Sequence, residues 1–151
     1  MSWNRIKILN ELNRKRLPKG VEKAIFERPQ LAIDNLVDFL QSEKPTDYQI
    51  VNILFLFPRL CKIKDVNFDS QKIYELSLSY LKHPSDIVKL AASKSVVFQA
   101  MTSLVYQGLK LPIADIINAL DLIKKDHPQA EFELSAVIKY INELIKKRNC
   151  V

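Results

Sequence analysis

Apolar residues return every third or fourth position along almost the whole chain, as in Ile6, Leu9 and Leu12 near its start and Leu134, Val137, Ile138 and Ile141 near its end. That is the helical period, and no sustained one-by-one alternation of a half-buried strand interrupts it. Pro and polar clusters divide the pattern at Leu17 to Gly20, Arg28-Pro29, Glu43 to Thr46, Lys64 to Asp69, His83 to Ser85, Gly108 to Pro112 and His127-Pro128. Eight helical segments result, and the fold class expected is all-α.

The edges of these segments carry helix-end chemistry. Asp69 or Ser70 caps the helix running to Leu81, and Ser85 precedes Asp86 at the next start. Gly108 follows a helix end where a left-handed residue is wanted, while Pro29 and Pro128 sit where a first turn tolerates a missing N–H.

Alternate segments repeat. FLQSEKPTDYQIVNILFLF begins at Phe39, YLKHPSDIVKLAASKSVVF at Tyr80 and LIKKDHPQAEFELSAVIKYI at Leu122, spacings of 41 and 42 residues. Each stretch is the end of one helix, a Pro-containing turn and a second helix, with a period inside the roughly 40–47 residues of HEAT and armadillo units. In the middle unit, Asp86-Ile87-Val88-Lys89-Leu90-Ala91-Ala92 resembles the HEAT-family pattern opening a second helix: an acid, a valine two on, a base next and small residues after. The third unit keeps the apolar and small positions but has Glu133 for the base, and the first lacks the small pair after Asp47. The resemblance implies a short right-handed solenoid of about three helix pairs, over residues 30–62, 70–107 and 112–148. Residues 1–28 then form an N-terminal capping helix pair, and 1–151 is one domain. The competing arrangement is a non-repetitive helical bundle.

Composition narrows the class. The chain has 151 residues, 48% hydrophobic and 26% charged, enough for a core without metals or disulfides. Its longest apolar run, Ile53 to Pro58, is far short of a membrane span, and the charged N-terminus lacks the centre of a secretory signal. A cytoplasmic protein with two unpaired thiols, Cys61 and Cys150, is expected. The net charge of +6 is carried at the ends: residues 1–28 hold eight bases against three acids, and residues 139–151 four against one. Lys outnumbers Arg 17 to 6, which tilts away from dedicated base and phosphate recognition.

Catalytic chemistry finds little footing, and the reading is of a non-enzyme without a cofactor. His83 and His127 occupy matching turns roughly one repeat apart, too far for joint ligation at about 2.0–2.1 Å. No metal-ligand, paired-Cys or phosphate-loop motif is present. Ser77, Ser79, Ser85, Ser93, Ser95 and Ser103 read as small helix-contact residues, and Asp34 with Asp38 as a solvated face. A glycosylase of the HEAT-like DNA alkylation type needs a longer chain and an aromatic cleft, whereas the single tryptophan is Trp3.

What is left is a surface. In HEAT-like solenoids the second helices line the concave side. Helical spacing assigns to that side Gln49, Asn52, Leu56 and Arg59, then Lys89, Ser93, Val96, Ala100 and Ser103, then Ser135, Lys139, Asn142 and Lys146. The charged members are all basic, and Asn52, Arg59, Lys89, Ser93, Lys139, Asn142 and Lys146 are the expected partner-binding set. A positive concave face suits an acidic protein partner. By size and architecture alone the chain is similar to small bacterial immunity proteins, which implies a toxin domain as that partner. The alternatives are a nucleic-acid-associated factor gripping phosphates with its basic ends, and an adaptor subunit of a larger complex.

Overall fold

The computed structural model describes residues 4–99, 113–126, 128 and 131–149, and among these there is no strand. The described residues form eight α-helices: α1 Arg5–Glu11, α2 Lys19–Glu27, α3 Pro29–Ser42, α4 Asp47–Cys61, α5 Ser70–Ser79, α6 Asp86–Gln99, α7 Ile113–Asp126 and α8 Glu131–Asn149. A 3₁₀ turn, Tyr80–Lys82, extends α5. The predicted breaks all separate helices where the chain is described, except that Lys19 and Gly20 already lie inside α2 and the interruption runs from Leu12 to Pro18. Gly108 and the rest of the segment 100–112 lie outside the described residues, as do Trp3, His127 and Cys150.

Helix starts follow the local chemistry. Asp69 caps α5, its carboxylate accepting from the Lys72 N–H at 3.1 Å. Thr46 opens α4 with a reciprocal box: its hydroxyl accepts from the Gln49 N–H, and the Gln49 side-chain oxygen accepts from the Thr46 N–H. Pro58 sits in the last turn of α4 without ending it, among the buried residues of that helix.

The core is continuous from Ile8 and Leu12 through Leu36, Ile53 and Phe57 to Val96, Ile116 and Val137. In α1 the buried set is Ile8, Leu9 and Leu12, whereas Ile6 points to solvent, a correction to the stripe read from spacing. Helix α6 lies at the centre, packing on α4 most extensively and also on α5, α7 and α8. That position explains its small residues: Ala91, Ala92, Ser93 and Ser95 are all buried, and larger side chains would hold the neighbouring helices apart. Gln99 donates to Ser77 at 2.9 Å and Ser95 at 3.0 Å, so this seam is hydrogen-bonded as well as packed. Among the described residues no helix is long and apolar enough to cross a membrane.

Candidate binding face

Helices α4 and α6 run side by side in one register. Asp47, at the start of α4, lies 3.8 Å from His83 just ahead of α6, and halfway along, the Lys94 ammonium sits 5.8 Å from the ring centre of Phe55. Asp47 and Asp86 both open a helix, and with that offset of 39 the inward and outward positions of the two helices correspond, except that Ile50 is buried where Lys89 is half-buried. Gln49 and Val88, Asn52 and Ala91, Ile53 and Ala92, Leu56 and Ser95, and Leu60 and Gln99 all point inward. Tyr48 and Ile87, Val51 and Leu90, Phe55 and Lys94, and Arg59 and Phe98 all reach the surface.

The sequence-derived face is therefore out of phase on these two helices. Ser93 is fully buried and its hydroxyl donates to the Lys89 carbonyl at 2.8 Å, the back-bond expected of an interior helical serine. Asn52 is buried too, donating to the carbonyls of Leu12 at 2.7 Å and Arg14 at 2.8 Å. Its neighbour Gln49 donates to the Leu9 carbonyl at 2.8 Å. Both amides satisfy carbonyls at the C-terminal end of α1, which would otherwise be orphaned under the helix that covers them. Arg59 does reach the surface, but it is engaged within the chain, paired with Glu22 and lying 4.5 Å over the ring of Phe26. The α1–α2 pair thus occupies the stretch of α4 that spacing alone left open.

Lys89 also departs from its expected place. It is 3.9 Å from Asp86 and borders a groove toward Lys82, Asp115 and Asn118, on the side of α5 and α7. Lys139, Asn142 and Lys146 stand together and exposed on α8, beside Ser135, Ile138 and Glu143. Of the seven residues expected to bind a partner, these three share an open surface. Asn52 and Ser93 are corrected to interior positions.

Other candidate chemistry is absorbed by structure. Asp34 accepts from Gln30, and Asp38 lies 2.9 Å from Arg5, whose hydrogen bond holds the carboxyl below its ordinary range. Among the described residues no group of three His, Cys, Asp or Glu side chains could hold a metal ion. His83 Nδ1 accepts from the Ser85 N–H at 3.0 Å, which fixes the turn before α6. Burial pushes the Cys61 thiol up to about 12, so at neutral pH it is a protonated, poor nucleophile. Iodoacetamide near pH 8 should modify Cys61 at least about a hundredfold more slowly than a free thiol, because thiolate fraction falls tenfold per pKa unit. Peptide mass mapping reads that rate, and alkylation as fast as glutathione's would contradict the burial.

The surface that spacing missed is a strip along α4, α6 and α8. Phe55, Lys94, Val97, Phe98, Ala136 and Tyr140 line one shallow groove crossing α4, α6 and α8. Phe98 meets Tyr140 edge to face with centroids 4.9 Å apart, and Tyr48 at 42% and Ile87 at 47% exposure extend the strip toward the helix starts. No family model, curated protein or solved structure matches this chain.

Proposed function

We propose that the chain is a non-catalytic binding module of HEAT-like helix pairs that engages a protein partner on the face formed by its second helices. The observation that carries this reading is the exposure of Tyr48 and Phe55, two turns apart on one face of α4, with Ile87 at the matching start of α6. Scattered apolar residues on a surface need no explanation, whereas aromatic and aliphatic residues repeated along one face of two adjoining helices are the composition of a partner site. The match of burial between α4 and α6 supports the repeat, and the contacts of α1 and α2 with α3 and α4 support their role as a cap. The immunity-protein form of the reading, with a toxin domain as partner, rests on size and helical architecture.

The test is a complex recovered by pull-down and washed in about 0.5 M salt, where Debye lengths fall to a few ångströms and packing contacts are unscreened. A stoichiometric protein partner that stays bound is expected. The net charge of +6 favours a second reading, binding to a nucleic-acid backbone. In that case affinity collapses by orders of magnitude over the same salt range through counterion release, and nucleic acid rather than protein copurifies.

A further inference from the structure

The connection between α1 and α2 carries charge that the fold does not use. Residues 12–20 hold four bases, Arg14, Lys15, Arg16 and Lys19, and no acid. The acids of the flanking helices are engaged with other groups: Glu11 lies 3.1 Å from Arg14, Glu22 pairs with Arg59, and Glu27 lies 4.0 Å from Lys23. Further along, Asp38 and Glu43 turn to Arg5, Asp34 to Gln30 and Asp47 to His83. Helices α7 and α8, with the acids of the C-terminal part, pack on α6. Lys15, Arg16 and Lys19 are exposed, and their side chains pair with no described residue. The backbone beneath them is held. Asn52 donates to the Leu12 and Arg14 carbonyls, the Thr46 hydroxyl donates to Asn13 Oδ1 at 2.6 Å, and the ring of Pro18 fixes φ at −63° ahead of α2. A loop tied down in this way presents its side chains from one position, so less ordering is lost when they bind.

We infer that this loop is a second interaction surface, and that its partner is the phosphate backbone of nucleic acid, gripped without reading sequence. It shares no residue with the strip along α4, α6 and α8 and does not depend on what occupies that strip. Three uncompensated cations within five residues suit a polymer that carries one charge per about 3.4 Å of each strand. Arg16 supplies a fork that fits two phosphate oxygens, and the two lysines act as point charges beside it. An acidic protein fits less well, because the centre of a protein interface is apolar and poor in charge. Here Leu12 is buried, and Leu17 and Pro18 are half-buried. An anionic membrane fits less well for a related reason: docking on its surface inserts apolar side chains, and the exposed one nearby, Ile6, lies about two turns back along α1.

The experiment is fluorescence anisotropy of a labelled DNA duplex of about 20 base pairs and arbitrary sequence, titrated with the full-length chain between about 50 and 200 mM salt. Three phosphate contacts give a slope of log affinity on log salt near −2.7, a loss of about fortyfold over that range. Lys15→Gln, Arg16→Gln and Lys19→Gln should each flatten the slope by about 0.9, and the three together should weaken binding at about 50 mM salt more than tenfold. Lys124→Gln with Lys125→Gln, exposed at the end of α7, removes charge elsewhere and should leave the slope unchanged. All five positions reach solvent, and thermal melting of each variant checks that the fold is intact. If the α7 pair costs as much as the loop substitutions, bulk net charge is responsible and the assignment is overturned. It is overturned equally by no binding at about 0.1 mM chain, the weak end of non-specific affinities, or by capture on phosphatidylserine vesicles without binding to the duplex. None of these failures touches the protein-binding reading, and failure to find a salt-resistant protein complex leaves this loop's assignment in place.

Discussion

Ala92→Glu should leave a chain with no cooperative unfolding transition. Ala92 is fully buried in α6, the helix that packs on four others, and it occupies the same place in its helix as Ile53 does in α4. Buried polar side chains in this molecule are hydrogen-bonded; among the described residues no buried side-chain nitrogen or oxygen lacks a partner. A carboxylate inserted there has neither water nor a cation, and it overpacks a seam built for a methyl group. The combined penalty, of at least about 4 kcal/mol, is comparable with the whole stability of a domain this size. Ile87→Glu is the matched control, the same new charge five residues earlier in α6 at an exposed position, and it should stay within about 1 kcal/mol of the parent. Circular dichroism through a thermal ramp checks both. A sigmoidal melt for Ala92→Glu near the parent midpoint would mean that the α4–α6 seam is not as described.

Asn52→Asp should be nearly as damaging, by about 3–5 kcal/mol at pH 7, although the side chain changes by a single group. The amide nitrogen of Asn52 donates to two carbonyl oxygens, and a carboxylate would set a charged acceptor against both. The introduced carboxyl gains a folded-state pKa above its unfolded value of about 3.9, so between those two values the folded chain holds more protons than the unfolded one. Stability relative to the parent must then fall as pH rises through that window and recover as pH drops toward about 4, where the protonated acid donates again. Urea unfolding at both pH values reads the difference. A deficit that is the same at pH 4 and pH 7 would show that the lost interaction is not this pair of hydrogen bonds.

Helices and their breaks were legible in the sequence because spacing, proline placement and caps such as Asp69 act locally. The outward phase of α4 and α6 was not, and the reason is physical. The rule that polar groups face water assigned Asn52 and Ser93 to the surface, yet each finds its hydrogen-bond partner inside, one on α1 and one on its own helix. The positions that do face water hold Tyr48, Phe55, Ile87 and Leu90, apolar residues that periodicity counts as core. An apolar surface of this kind is hidden from patterning because it is built from interior-type residues. The signal that could have revealed it was the 39-residue offset between the helix starts Asp47 and Asp86, which pairs Phe55 with Lys94. Alignment on the preceding helix ends, at 41, masks that pairing because the two turns differ in length.

The ties between the first helix pairs share a common reach. Arg5 to Asn35, Thr46 to Asn13, Arg59 to Glu22, Gln30 to Asn67 and Gln49 to Leu9 span 30 to 40 residues, about one helix pair along the chain. Loop-closure entropy grows only logarithmically with length, so each closure costs nearly the same as the one before it. Such a chain has low contact order, and its folding should be fast and progressive, without the slow search for distant partners that limits β-rich domains. During synthesis the Leu9 and Leu12 carbonyls wait only for α4 to emerge. A nascent chain that has emerged as far as Cys61 holds every residue needed for the contacts between α1 and α4, and its exposed remainder is the face that α5 and α6 are about to cover.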